Sequence, residues 1–185
     1  MRIAISGTHC IGKSTLIDEF LRTHKDFIHE PEPYTVLVED FGEDFSEEPS
    51  VEEFQRQLEF NVERLKHHAH EPRVIYERCP IDFLAYIAVL GPKSAESVLD
   101  QVIEGMQHLD LIVYLPLDHN HTVEAEYPKL RKAVDRRLDA IYNEDEYAII
   151  SATGIEVIEA TGSTAQRLHR MTASLTLTGL QDLQN

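Results

Sequence analysis

The chain has 185 residues, of which 42% are hydrophobic, and this length suits a single domain with a core of its own. Its 17 Lys and Arg against 33 Asp and Glu give a net charge of −16, which argues against nucleic-acid and anionic-membrane partners. Two cysteines exclude a disulfide framework, and no apolar run is long enough for a membrane span or a secretory signal, so we expect a cytoplasmic protein.

The first predicted element is a short apolar strand from Met1 to Ser6, and the loop GTHCIGKST follows it. Two glycines frame a four-residue gap, and a lysine and two hydroxyl residues come next, which is the P-loop pattern. The glycines allow a tight turn whose N–H groups point inward. These donors, with the positive end of the helix predicted over residues 13–24, hold a di- or triphosphate.

The loop therefore predicts a nucleoside triphosphate site, with ATP and Mg²⁺ as the expected ligands. We expect Lys13 to reach the β- and γ-phosphates, the Ser14 hydroxyl to bind Mg²⁺ and Thr15 to contact the α-phosphate. The other predicted members of the phosphate site are Gly7, Cys10, Ile11 and Gly12. The side chains of His9 and Cys10 occupy variable positions of the pattern and are given no role.

Phe27 to Glu30 is predicted to form the second strand, which a PEP sequence ends. Glu30 and Glu32 each precede a proline there, where a carboxylate can accept the proton of a substrate hydroxyl. We prefer Glu32 as this base and keep Glu30 as the alternative, while a stiff acidic turn without function is the competing interpretation. Residues 42–50 are acidic, contain Gly and Pro, and are predicted to form a loop or lid.

A capping box of Ser50 and Glu53 opens the helix predicted over residues 51–70. The helix closes with three histidines, His67, His68 and His70, but no spaced partner supports zinc binding, so we expect no metal there.

The strand RVIYE ends in Glu77 and is followed by Arg78. A carboxylate at the end of a strand beside the P-loop holds Mg²⁺ directly or through water, and we expect this role for Glu77. An arginine at the same edge faces the ligand crevice, so Arg78 is predicted to hold a phosphate or hydroxyl of the second substrate. A surface glutamate and a structural salt bridge are the alternatives, and Asp82 is expected only to cap the next helix or to pair with Arg78.

The remaining predicted elements continue the alternation of strands and helices. A helix starts at Pro80 and stops at Gly91, a second helix covers residues 94–108, and the apolar strand DLIVYLPLD follows. Residues 127–150 are predicted to be mostly helical, IEVIEATGS to form the last strand and turn, and a second capping box at Ser163 to open the final helix. This alternation predicts an α/β fold with a mostly parallel sheet between two helical layers.

Two further segments carry candidate ligand contacts. The segment KLRKAVDRRL has five basic residues, and an arginine there is expected to neutralise charge on a transferring phosphoryl group. The candidates are Arg131, Arg136 and Arg137, and a solvated face paired with Asp135 and Asp139 is the competing interpretation. In ATGSTAQRL, Gly162 would let the backbone approach a base and Arg167 would stack over it.

In chain order, GTHCIGKST, EPYTVL, VIYERCPIDFLAY, LRKAVDRRL and TGSTAQRL resemble the motifs of small P-loop kinases over residues 1–170. The chain is similar to a bacterial group of short AAA-labelled ATP-binding proteins, to the ribosylnicotinamide kinase domain and, more distantly, to the deoxynucleoside kinases. Glu32-Pro33 and Glu77-Arg78 resemble the acid-proline and acid-arginine motifs of the deoxynucleoside kinases. Cys79 stands where those enzymes have serine, and Leu37 where they have tryptophan.

The resemblance implies a P-loop NTPase three-layer α/β/α sandwich with five strands in the order 2-3-1-4-5. It also implies an arginine-bearing lid around residues 118–142. From the length and the predicted elements, we expect one domain over residues 1–175 and a loose C-terminal tail over residues 176–185.

These observations predict an ATP- and Mg²⁺-dependent phosphotransferase that acts on a small, hydroxyl-bearing, nucleoside-like acceptor. The alternative is a regulatory nucleotide-binding NTPase or switch, although the guanine-recognition motif and the Asp-x-x-Gly motif of GTPases are missing. A kinase for nucleic-acid ends is disfavoured by the charge of −16. The identity of the acceptor and the oligomeric state, with a homodimer as one option, are left open.

Overall fold

The computed structural model describes residues 1–117 and 126–182. Its five strands form one parallel sheet in the order β2-β3-β1-β4-β5. Their bounds are β1 Arg2–Ser6, β2 Ile28–Glu30, β3 Val74–Glu77, β4 Leu111–Tyr114 and β5 Glu156–Glu159. The predicted α/β fold and strand order are confirmed.

Helices connect the strands and cover both faces of the sheet. They are α1 Lys13–Leu21, α2 Pro33–Glu39, α3 Val51–His67, α4 Pro80–Leu90, α5 Pro92–Ala95, α6 Leu99–Met106, α7 Pro128–Asn143, α8 Ile149–Thr153 and α9 Thr164–Asp182. Within the two described stretches, no helix combines the length and the apolar character that a membrane span requires.

Alternate side chains of the central strands enter two separate cores because successive residues of a strand point to opposite faces. Ala4, Tyr76 and Ile112 belong to the core that lies under α3, α4, α6 and α7. Ile3, Ile5 and Ile75 belong to the core on the other face, where α1 and α9 pack together. The β1 and β3 ends are therefore fixed from both sides at the edge where the P-loop begins.

The predicted capping boxes are present. The Glu53 amide donates to the Ser50 hydroxyl and the Ser50 amide to the Glu53 carboxylate, both at 3.3 Å. At the start of α9, the Ser163 amide donates to the Gln166 side chain at 2.8 Å, and the Gln166 amide to the Ser163 hydroxyl at 3.4 Å. These contacts satisfy backbone donors that a helix start leaves unpaired.

The fold differs from the predicted elements in four places. Helix α2 was not predicted, and the helix expected over residues 94–108 is split by a 3₁₀ turn at Glu96–Val98. The helix expected over 127–150 ends at Asn143, where three residues with positive φ follow: Asp145, Tyr147 and Ala148. Helix α9 continues to Asp182, beyond the predicted start of the tail at residue 176, and the looseness of that tail stays a prediction.

The predicted lid around 118–142 falls in two parts. Residues 118–125 lie outside the described residues. Residues 128–142 belong to α7, which packs against α4. Movement of this helix stays a prediction.

Candidate active site

The P-loop connects β1 to α1 and contains two glycines in conformations that other residues rarely adopt. Gly7 has φ 147° and Gly12 has φ 94°. A Cβ atom at Gly7 would lie 2.7 Å from the Leu115 carbonyl oxygen, so a larger residue there would displace the backbone. The loop therefore needs glycine at this position to pass close to β4.

Asp82 anchors the start of this loop. Its fully buried carboxylate accepts hydrogen bonds from the Gly7 amide at 2.8 Å and from the Ser6 hydroxyl at 3.1 Å. It also caps α4 by accepting from the Cys79 amide at 2.8 Å. The predicted capping role is present, and the contact with the P-loop is one that the sequence pattern did not indicate.

The Lys13 side chain lies within the P-loop, where it is predicted to contact the β- and γ-phosphates. Its ammonium group is buried, donates to the Thr8 carbonyl at 3.1 Å and lies 4.0 Å from the Glu77 carboxylate. Burial, and then the charge of Arg78, lower the pKa of Lys13. An anionic phosphate in the loop would favour the charged ammonium form again.

Ser14 and Glu77, the two predicted Mg²⁺ ligands, are brought together by the β1–β3 pairing. The Ser14 hydroxyl donates to the Glu77 carboxylate at 2.9 Å, at the mouth of the P-loop. Two oxygen ligands on one side fit Mg²⁺, which is commonly held by few protein groups together with water and phosphate oxygens.

The two candidate bases occupy different environments. Glu30 is buried and accepts hydrogen bonds from Arg64 at 2.8 Å and from His68 at 2.6 Å, away from the P-loop. Glu32 lies at the start of α2 and pairs with Arg78, next to the P-loop. Of the two, the structure places Glu32 in the site.

Arg78 is held in a strained position between the P-loop and Glu32. It has φ 78°, is 4% exposed, and donates from Nη1 to the Gly7 carbonyl at 3.3 Å. Its guanidinium also lies 5.4 Å from the centre of the Tyr86 ring. A non-glycine residue with positive φ is often found at a functional position, because surrounding contacts must maintain it.

The charge of Arg78 controls the ionisation of its partner. Burial by itself would raise the pKa of Glu32, but the neighbouring charges of Arg78 and Lys13 lower it to about 2. Glu32 is thus a carboxylate at any pH near neutrality.

The predicted arginines separate into two groups. Arg131 and Arg167 are both buried, and each donates to a carbonyl of the P-loop: Arg131 to Cys10 at 3.1 Å and Arg167 to Ile11 at 2.7 Å. Arg136 is exposed on α7, and Arg137 pairs with Glu146. The structure brings only the first two to the nucleotide site.

A cavity of about 750 Å³ opens over the P-loop. Its walls come from the loop, from the strand ends and from the turn before α9: His9, Cys10, Ile11, Gly12, Lys13, Ser14, Thr15, Glu32, Glu77, Gly162, Ser163, Thr164 and Arg167. Gly162 has φ 84° and lines the side of the cavity expected for a base. The predicted nucleotide residues therefore converge on one space.

A second cavity of about 310 Å³ adjoins the first and is lined mainly by aromatic and acidic side chains. Phe54 stacks on Tyr86 with ring centres 4.3 Å apart, and Tyr34 contacts Phe45 at 5.2 Å. Three residues, His9, Cys10 and Glu32, line both cavities. The sequence pattern indicated Glu32 and Arg78 of this second cavity but not its aromatic walls. Those walls come from α2, α3, α4, the loop between α2 and α3, and the residue before α7.

His9 is the functional candidate that the sequence analysis passed over. Its ring Nδ1 lies 2.8 Å from the Tyr86 hydroxyl, at the boundary of the two cavities. The signal in the sequence was weak, because a histidine at a variable P-loop position indicates nothing until the position of Tyr86 is known.

Comparisons with known proteins agree with this fold. A family model, AAA_28, described as an AAA domain, matches residues 2–167. Among curated proteins, no sequence matches this chain.

Two solved structures of NadR protein share the fold. The first, a complex with NAD and AMP-PNP, has a TM-score of 0.70 and 17% sequence identity, and the match covers 96% of this chain and 49% of that one. The second, a complex with NR, has a TM-score of 0.62 and 15% identity, and covers 88% and 44%. This chain thus spans about half the length of those NadR chains, and the similarity establishes the fold.

The family match extends over most of the chain and includes the P-loop, and the solved structures share the fold. The chain therefore belongs to the AAA_28 family of AAA domains.

Proposed function

We propose that the protein is an ATP-dependent phosphotransferase that phosphorylates a small, hydroxyl-bearing, nucleoside-like metabolite. The observation that carries this proposal is the second cavity, which adjoins the nucleotide cavity and shares Glu32 with it. A regulatory nucleotide switch needs only the first cavity, whereas a kinase needs a place for its acceptor beside the γ-phosphate.

Glu32 is positioned to assist the transfer. In the proposed reaction the acceptor hydroxyl oxygen attacks the γ-phosphorus of ATP, and an O–P bond forms as the bond to the bridging oxygen of ADP breaks. The hydroxyl proton passes to Glu32, which its ion pair with Arg78 keeps ionised. A carboxylate of low pKa suits a loose transition state, in which the proton leaves late.

Charge on the transferring group is offset by cations fixed around the P-loop. Lys13 would contact the β- and γ-phosphates, and Mg²⁺ held by Ser14 and Glu77 would supply further charge stabilisation at these oxygens. Arg131 is the preferred lid arginine, since it already contacts the loop at Cys10.

The second cavity favours a flat acceptor with a ring. Phe54 and Tyr86 offer a stacking surface, and Gln57 adds an amide to the wall. NadR, which has the same fold, was solved with AMP-PNP and with NR, and this supports a nucleotide donor with a small second ligand here.

The test is an ADP-release assay with a panel of nucleosides and hydroxyl-bearing metabolites. We expect slow hydrolysis of MgATP alone and a sharp rise with one compound, together with a phosphorylated product seen by mass spectrometry. A flat response across the panel, with nucleotide binding intact, would favour the switch.

Two lysine variants control for contaminating enzymes. Lys13→Ala removes the buried ammonium group from the P-loop and is expected to abolish turnover with the fold intact. Lys132→Ala changes an exposed lysine on α7 and serves as the matched control, with turnover close to the wild type. Turnover that survives in Lys13→Ala would show that the active site lies elsewhere.

A further inference from the structure

His9 stands at the boundary between the two cavities and is fixed from one side. The Tyr86 hydroxyl lies 2.8 Å from the ring Nδ1 and accepts a hydrogen bond from the His9 backbone amide at 3.3 Å. The Tyr86 ring is in turn held by stacking on Phe54. The orientation of the imidazole is therefore set by a side chain of the acceptor cavity.

The same contact favours one of the two neutral forms of the ring. Since the Tyr86 hydroxyl oxygen accepts from the His9 amide, its own proton is available for Nδ1 of the ring. A neutral imidazole that accepts at Nδ1 carries its proton on Nε2. His9 Nε2 is then a donor, and it is buried without a hydrogen-bond partner in the part of the chain that the structure describes.

Burial and the nearby cations keep the His9 ring neutral. Burial, and then the cations Arg78, Arg131 and Lys13, lower the pKa of His9 to about 4, and the opposing influence of Glu32 does not restore it. A neutral His9 can therefore donate a hydrogen bond without adding a further positive charge beside Arg78, Arg131 and Lys13.

We propose that His9 donates from Nε2 to an oxygen of the γ-phosphoryl group at the boundary of the two cavities. This inference rests on the proposed phosphotransferase function. Phosphoryl oxygens only accept hydrogen bonds, and an unpaired buried donor is the complementary group. Because Tyr86 lines the acceptor cavity, its contact with His9 links the wall of that cavity to the group being transferred.

Two substitutions separate the two nitrogens of the ring. Asn places a polar atom near the position of Nδ1 but none near Nε2, whereas Gln places its amide near the position of Nε2. The measurement is the affinity for MgAMP-PNP relative to MgADP, by calorimetry, because this ratio reports contacts to the γ-phosphoryl group and needs no acceptor.

We expect His9→Asn to lower this ratio by about 10-fold, the effect of losing one hydrogen bond to a charged group. His9→Gln should keep most of it. His29→Asn, an exposed histidine on β2, should bind both nucleotides as the wild type does. Thermal denaturation of each variant checks that it is folded.

An unchanged ratio in His9→Asn would overturn the inference. An equal loss in Asn and Gln variants that remain folded would also overturn it, because the ring would then act by packing alone. A wild type that binds both nucleotides but phosphorylates nothing in the acceptor panel would contradict the proposed function, and the two failures are thereby distinguishable.

Discussion

Glu32 and Arg78 form an ion pair at the proposed acceptor side of the site. Arg78 is 4% exposed and keeps its charge through a pair with Glu32, whose side chain is 27% exposed and faces the cavities. A buried guanidinium without a counter-charge is costly, so each residue stabilises the charged form of the other. The ion pair therefore keeps Glu32 ionised at the boundary of the two cavities, where the proposed acceptor hydroxyl would lie.

Glu32→Gln is expected to lower kcat for acceptor phosphorylation by about 10² to 10⁴-fold and to change MgATP affinity little. The amide keeps the size of the side chain but cannot accept the hydroxyl proton. Steady-state kinetics and calorimetry measure the two effects. Glu39→Gln, at an exposed position near the end of α2, is the matched control.

The pH profile gives a second check on the same residue. The pKa of Glu32 is lowered to about 2, so the carboxylate stays charged at every pH from 8 to 5. Protonation of Glu32 in the free enzyme should therefore cause no loss of rate within this range.

For the substitution, a Glu32→Gln variant with the wild-type rate would mean that another group accepts the proton.

From the sequence, Glu32 is the preferred base and Glu30 the alternative. Both precede a proline, so the local pattern alone does not exclude Glu30. In the fold, Arg64 of α3 and His68, the residue after this helix, engage Glu30, whereas Glu32 lines both cavities. Such contacts between residues more than 30 positions apart leave no local signature.

At the scale of elements, the start of α4 also anchors the P-loop through Asp82. Asp82 joins α4 to the end of β1, and the Tyr142 hydroxyl on α7 extends the network by donating to the Ser6 hydroxyl at 2.7 Å. The P-loop is thus positioned by two helices that also border the acceptor cavity.

Asp82→Asn is expected to lower the free energy of unfolding by about 2–3 kcal/mol and to weaken MgATP binding. An amide has one acceptor oxygen, and its NH₂ group would face backbone N–H groups that now donate to the carboxylate. Urea denaturation and calorimetry provide the two measurements.

Asp100→Asn, at an exposed position on α6, is the control and should behave as the wild type. Wild-type stability in Asp82→Asn would show that the P-loop does not depend on this anchor.

Strong periodic patterns predicted the strands and longer helices, and the exceptions have local causes. Helix α2 has seven residues and begins at a proline, which left too little pattern to recognise. The break after α7 depends on Asp145, which adopts φ 52° and accepts from the Ile150 amide at 2.8 Å to start α8. A positive φ at a non-glycine residue is set by tertiary contacts, so composition could not indicate it.

At the scale of the whole molecule, the nucleotide half of the site and the residues Glu32 and Arg78 were predictable, and the aromatic walls of the proposed acceptor cavity were not. Residues of the P-loop are contiguous, and Glu77 and Arg78 follow a strand whose end meets the loop in any parallel sheet of this order. The acceptor walls join Tyr34, Phe54 and Tyr86 from three helices, and their meeting depends on how those helices pack.

The free energy of unfolding should depend on pH because His9 is buried in its neutral form. The pKa of His9 is about 4 in the folded chain and 6.5 ordinarily, so the unfolded chain binds a proton first as pH falls. The free energy of unfolding therefore decreases through this contribution from pH 6.5 down to about 4.

His9→Asn removes the titrating imidazole. The carboxylates remain, and their protonation at low pH lowers the free energy of unfolding in the variant as in the wild type. Between pH 7.5 and 5 we expect the variant without nucleotide to lose about 1 kcal/mol less than the wild type, a value reduced for solvent screening of a half-buried ring. Urea denaturation at the two pH values measures the difference, and His29→Asn should follow the wild type. Equal losses in all three proteins would mean that the folded state does not lower the pKa of His9 below its value in the unfolded chain.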